Sequence, residues 1–228
     1  MKQSKLLAGF LLTISFVLCA AQNNAELVNV KIVNQQSRIN VVASTVVAMT
    51  PSGFIGLLNE TENDCSWIHN CVSVSFEQNN ETLSSAASSK NIQRETQKWR
   101  TLFKSPWPLN KREMVSYSKY SVSDKGETLI EIIGDDQATA KFKNSVLITN
   151  VQAKWIVYPI NETHSKLTYI GFADPGGIIP RFLIDNMLKT AAENTFLNIR
   201  EIAQLKALQN TQTDERYGNI SQSQRKNR

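Results

Sequence analysis

Residues 167–188 read LTYIGFADPGGIIPRFLIDNML, and within this stretch the chain changes period. Leu167, Tyr169 and Gly171 alternate with Lys166, Thr168 and Ile170, the two-residue repeat of a strand. Asp174-Pro175-Gly176-Gly177 then interrupts the alternation with turn residues, and Pro180 marks the start of a helix. At about 100° per residue, Ile184, Leu188, Ala191, Thr195, Ile199 and Ile202 fall on one stripe. Asn186, Lys189, Glu193, Arg200 and Gln204 fall on the other side. The pattern predicts a helix to about Leu208 and a polar, disordered tail over 209–228.

Upstream of this junction the chain reads as strands joined by short turns. RINVVASTVVAM (38–49) is a valine-rich strand, and Thr50-Pro51 is the N-cap and first position of a short helix to about Asn59. Further strands are expected at Cys71–Phe76, Trp99–Phe103, Met114–Ser123, Glu127–Ile133, Ser145–Tyr158 and His164–Ala173. Asp124-Lys125-Gly126 is a hairpin signal, and Pro159-Ile160-Asn161-Glu162-Thr163 turns the last pair. Consecutive strands with connections this short predict an antiparallel sheet. The amphipathic helix that follows must bury its stripe against that sheet, which makes the fold class α+β. The polar stretch from Asn79 to about Gln97, with its serine-rich Ser84–Ser89, reads as a loop.

Length and charge narrow the function. At 228 residues the chain makes one domain or two small ones, and 41% apolar residues with 20% charged suit a packed globule. The net charge of +5 invites a nucleic-acid reading. Residues 1–21 hold Lys2 and Lys5 without an acid, and residues 206–228 hold five bases against two acids. Removing those from the 25 bases and 20 acids leaves 18 of each for residues 22–205. The folded core is neutral, and a nucleic-acid surface is excluded.

Lys2 and Lys5 precede an apolar run from Leu6 to Cys19, then Ala20 and Ala21 and a polar stretch. This is the layout of a secretory signal peptide over residues 1–21, too short to remain as a spanning helix of ~20 residues. The mature domain is expected over 22–208, exported to a periplasm or secreted. Lipid attachment at Cys19 is the alternative to its removal. In an exported chain Cys65 and Cys71, six positions apart, read as a disulfide. His69 between them leaves a metal site as a competing reading, without a recognised zinc spacing or a fourth ligand.

Motifs for catalysis are absent: there is no G-x-S-x-G, phosphate loop, H-E-x-x-H or dinucleotide fingerprint. His69 and His164 are expected in a clipped loop and at a strand edge, and Asp135-Asp136 in a solvated turn. No cofactor or metal is expected.

The aromatic and turn residues carry more. PWPLNKREMV (106–115), Trp155-Ile-Val-Tyr-Pro159, the DPGG-x-x-P of residues 174–180 and Cys65-x-Trp67 together resemble the START (steroidogenic-acute-regulatory-related lipid-transfer) family over about Arg38–Leu205. Glu113 stands where that family commonly has Asp beside the arginine, here Arg112. The resemblance implies a helix-grip fold, a curved antiparallel sheet around a long C-terminal helix. It implies a monomer that binds, or transfers, a lipid or other hydrophobic molecule without catalysis and touches a membrane transiently. Small residues on the helix stripe leave room for a cavity lined by Ile184, Leu188, Ala191, Thr195 and Ile199. Asp174, Gly176 and Gly177 are then the expected gating turn. A helix-grip enzyme of the cyclase or hydrolase type and a closed interaction module are the rival readings.

Overall fold

The computed structural model describes residues 28–35, 38–77, 96–106 and 108–226. The expected signal peptide, the serine-rich loop and Trp107 lie outside the described residues. Eight strands follow one another as β1 (Val28–Gln35), β2 (Arg38–Val47), β3 (Cys71–Glu77), β4 (Gln97–Phe103), β5 (Lys111–Val122), β6 (Thr128–Gly134), β7 (Ser145–Pro159) and β8 (Ser165–Asp174). Helix α1 (Pro51–Glu60) sits between β2 and β3, and helix α2 (Arg181–Lys226) closes the chain. The strands form one sheet in the order β1-β2-β8-β7-β6-β5-β4-β3. All neighbours in that order are antiparallel. The sheet also carries a short parallel pairing of Lys111–Met114 with Ser145–Ile148, where the long β5 and β7 overrun β6.

Each element has a local cause. Thr50 accepts a hydrogen bond from Gly53 N at 3.1 Å, and Pro51 takes the first helical position, as the N-cap reading required. The hairpin after β5 turns at Gly126, whose φ of 76° is open to glycine. Strand β1 was not among the expected strands, although Val28, Val30 and Ile32 alternate with Asn29 and Lys31. Helix α2 continues to Lys226 rather than ending near Leu208. No proline follows Pro180 to stop it.

The core sits between the concave face of the sheet and the two helices. Trp155 is its centre: its ring stacks on Phe196 at 5.3 Å and lies against Phe54 at 5.2 Å and Tyr169 at 4.9 Å. One tryptophan thus ties β7 to α1, β8 and α2. The backbone of α2 packs along β1 and β2, at one side of the concave face. Arg200 donates to Thr45 Oγ1 and to Val46 O on β2, and Lys206 pairs with Glu60 of α1 at 2.9 Å.

Candidate ligand site between sheet and helix

The strand registers lay out the concave face row by row. In one row Ala43, Tyr169, Trp155, Ile130 and Tyr120 stand side by side across five strands. The adjacent row is Val41, Gly171, Ala153, Ile132 and Ser118. A row carrying three aromatic rings therefore borders a shelf on which Gly171, Ala153 and Ser118 are small. Ser116 opposite Gly134 continues the shelf, and Trp99 donates its indole N–H to Ser118 Oγ at 3.0 Å.

Tyr169 lies along its own strand, over the shelf. A Cβ at Gly171 would come within 2.3 Å of the Tyr169 hydroxyl, which is why no side chain occupies that position. Protein surrounds this phenol, and burial pushes its pKa up to about 12. Yet the residue is only half-buried, as are Tyr120, Ile132, Ala153 and Ser118 around it. These half-buried side chains share the concave face of the sheet.

The residues expected on the helix divide. Ile199 is fully buried beside Phe196 and Ala203, whereas Ile184, Leu188 and Ala191 are half-buried. Thr195 faces elsewhere: its Oγ1 accepts the His69 N–H at 3.0 Å. The seam that packs on the core is Ala192, Phe196, Ile199 and Ala203, roughly 70° around the helix from the stripe read in the sequence. Apolar residues on one flank of the seam, Leu188 and Ile202 among them, blurred that phase.

The expected disulfide joins Cys65 to Cys71. Its loop braces α2, because Asn198 Nδ2 donates to Ser66 O and Trp67 O at 3.4 and 3.3 Å beside the His69–Thr195 bond. Trp67 is buried and donates to Thr61 Oγ1. Burial lowers the pKa of His69.

The expected gating turn is a tied one. Asp174 Oδ1 accepts the Gly176 N–H at 2.9 Å, and Gly176 and Gly177 have φ of 66° and 73°. The buried Arg112 donates through Nε to Pro175 O at 2.7 Å, through Nη2 to Gly176 O at 3.3 Å and through Nη1 to Asn110 O. Burial lowers its pKa.

On the convex face Glu113, 0% exposed, accepts from Lys141 N, Phe142 N, Ser145 Oγ and Arg100. Burial works to raise its pKa, and these donors outweigh it, so the carboxyl stays below its usual range. Arg100 and Lys141 also bond Glu77. The solvated-turn reading of Asp135-Asp136 holds for the turn and for the exposed Asp136, and is corrected for Asp135. Asp135 pairs with Lys98 at 2.7 Å and accepts from Tyr117, while Asp136 accepts the Asn150 N–H. Asp135 thus fastens the loop before β7 to β4 and β5, and Asp136 fastens it to β7 itself.

No protein-family model matches the chain. A protein of Pseudomonas aeruginosa described as uncharacterised is 23% identical over 150 residues, spanning 65% of this chain and 67% of that one. Among solved structures, a STAR-related lipid transfer protein of Xanthomonas axonopodis superposes with a TM-score of 0.62 at 16% identity, covering 78% of this chain and 92% of that one. Human STARD10 gives 0.61 at 15% identity, with 83% and 73% covered. The human StarD13 lipid transfer and protein localization domain gives 0.59 at 17% identity, with 81% and 87% covered. The eight-stranded curved sheet, the long C-terminal helix and these superpositions together give the chain the helix-grip fold of the StAR-related lipid-transfer (START) domains.

Proposed function

We propose that the protein binds a lipid or other amphipathic molecule, without altering it, between the concave face of the sheet and α2. The observation that carries the reading is the row of Ala153, Ile132 and Ser118, half-buried like Tyr169 and Tyr120 beside it on the concave face. Larger side chains at Ala153 and Ser118 would fill the space beside Tyr169; apolar walls left without packing partners cost ~24 cal/mol per Å3. An apolar ligand removes that cost. The STAR-related lipid transfer protein of Xanthomonas axonopodis and the human StarD13 lipid transfer domain, which share this fold, support the ligand class, and the same reading extends to release of the ligand at a membrane.

Export is part of the proposal. The basic, apolar and small-residue succession of residues 1–21 and the paired Cys65 and Cys71 fit an oxidising compartment, periplasmic or extracellular.

Native mass spectrometry after incubation with a lipid extract tests the function. A retained, intact lipid is the expected result. A chemically altered lipid would move the reading to an enzyme, and no adduct at all would move it to an interaction module.

A further inference from the structure

At the end of the sheet opposite the Asp174–Gly177 turn, β2 ends and β8 begins, with Val47 beside Ser165 and α2 packed against β2. A pocket of about 330 Å3 opens there, lined by Val46, Val47, Ala48, His164, Arg200 and Gln204. These residues come from three separate stretches of chain, and none of them is a carboxylate. Arg200 and Gln204 stand one turn apart on the same side of α2.

Arg200 is the permanent cation of this group, and its partners leave the charge unanswered. Its Nη1 donates to Thr45 Oγ1 at 3.1 Å and to Val46 O. Both acceptors are neutral, so they hold the guanidinium in place without pairing its charge. Elsewhere on α2 Lys189 pairs with Glu193, and Lys206 pairs with Glu60. Among the described residues no carboxylate pairs with Arg200. The neighbouring Glu201 is exposed, projects about 100° further round the helix and does not line the pocket.

The rest of the lining suits an anion. Nε and Nη2 of Arg200 have no acceptor among the described residues, and together they form the edge of the guanidinium that matches two oxygens of a carboxylate or phosphate. Gln204 adds a neutral amide donor one turn further along. The His164 ring, held at Nδ1 by Thr163 Oγ1 at 2.9 Å, closes one side. Val46, Val47 and Ala48 supply an apolar wall, so a few polar groups stand against an apolar surface, as in a small-molecule site.

We propose that this pocket holds an oxyanion, a phosphate or a carboxylate, borne on a molecule with an apolar flank. Two of its oxygens take the Nε–Nη2 edge of Arg200 side by side, Gln204 donates to one of them, and the flank lies on the valine and alanine wall. The site is separate from the concave face and does not depend on the binding function proposed above. The oxyanion is either the head group of an anionic lipid or a free small molecule, and the chemistry recognised is the same.

The test titrates the full chain with monobutyl phosphate at constant ionic strength, with butylammonium as the control of opposite charge. Calorimetry should show saturable binding of the phosphate at millimolar concentration or below, and none of the ammonium. Gln204→Glu sets a carboxylate one turn from Arg200 and keeps the bonds of Arg200 to β2. It should weaken the phosphate at least tenfold, with the melting temperature unchanged or raised. Lys189→Gln, on the same helix but outside the pocket, should bind as the parent does. Sedimentation with phosphatidylcholine vesicles, with and without phosphatidylglycerol, separates the two sources. Retention on the anionic vesicles that monobutyl phosphate releases assigns the site to a lipid head, and phosphate binding without retention assigns it to a soluble anion. The absence of saturable phosphate binding, equal binding of butylammonium, or binding that survives Gln204→Glu overturns the site. The neutral apolar dye N-phenyl-1-naphthylamine reads the concave face separately, and its failure to bind would overturn the function proposed above without touching this one.

Discussion

Replacing Gly171 with alanine asks whether the concave face is open or filled. The new Cβ would lie 2.3 Å from Tyr169 Oη, 2.5 Å from Cζ and 2.7 Å from Cε1. Carbon contacts settle near ~3.5–4.0 Å, so the end of the ring must move by roughly 1 Å or more. The sheet lies beneath it and Trp155 flanks it at 4.9 Å, which leaves the interior as its way out. If that space is open, the substitution costs ~1–3 kcal/mol of misplaced packing. At ~2–4 °C per kcal/mol for a chain of this size, the melting temperature falls by about 2–12 °C. Dye uptake should fall at least tenfold, because the ring now stands in the ligand's place. Circular dichroism melts and N-phenyl-1-naphthylamine titrations read the two effects separately. Tyr169→Leu removes all three clashing atoms, so the double variant should be more stable than the sum of the singles by ~1–2 kcal/mol. A Gly171→Ala protein with parental stability and parental dye affinity would refute the placement of the ring. An additive cycle would do the same.

Three further outcomes follow from the geometry. Denatured, non-reduced protein should label no thiol at Cys65 or Cys71; reduction should cost ~2–3 kcal/mol for a loop this short and speed amide exchange around Thr195 and Asn198, whose partners lie in that loop. Glu77, Glu113 and Asp135 are held below their usual pKa range, so their contribution is complete above the unfolded values near ~4 and is lost as pH falls through the folded ones. Urea titrations from pH 7 down to 3 should show that loss, and Glu113→Gln should flatten it while lowering stability at pH 7; an acid limb unchanged in the variant would sink the assignment. Gly176→Ala should destabilise more than Gly177→Ala, since its Cβ meets Leu147 O at 2.6 Å whereas that of Gly177 meets only Arg112 Nη2 at 3.7 Å. If Gly177 is the hinge, its alanine variant takes up and releases dye more slowly at unchanged affinity, and unchanged rates leave the junction a turn.

The sheet was legible because its signals are local. Strand alternation in residues 166–171, the Thr50-Pro51 start of α1 and the Asp124-Lys125-Gly126 hairpin each depend on neighbours in sequence, and each stands where it was read. The pair Cys65–Cys71 was legible for the same reason. The phase of α2 was not, because it is set by Trp155 and Phe54, which lie far away in the chain. Thr195 looked apolar enough to join a stripe, and its hydroxyl instead serves the backbone of the disulfide loop, 126 residues upstream. Gly171 did carry a signal, since glycine inside a strand marks a close approach. What approaches it, the Tyr169 ring from the same strand, is visible only in three dimensions.

The division of labour between the two faces explains how the ligand space proposed above would be tolerated. Truncating a large core aromatic costs ~3–5 kcal/mol, so the cluster of Trp155, Phe54 and Phe196 supplies much of the cohesion from one end of the concave face. The convex face holds itself through Glu113, Arg100, Glu77, Lys98 and Asp135, partners that need nothing from the interior. The disulfide loop holds α2 from outside the sheet. Each of these fastenings lies away from the shelf of Gly171, Ala153 and Ser118. The shelf carries less of the packing, with the Tyr169 ring on Gly171 and Trp99 on Ser118, and in the proposed reading its small side chains leave room for a guest. The same separation makes its mutants informative: changes at Ala153 and Ser118, away from the Tyr169–Gly171 contact, should alter ligand uptake more than stability, and changes in the fastenings should do the reverse.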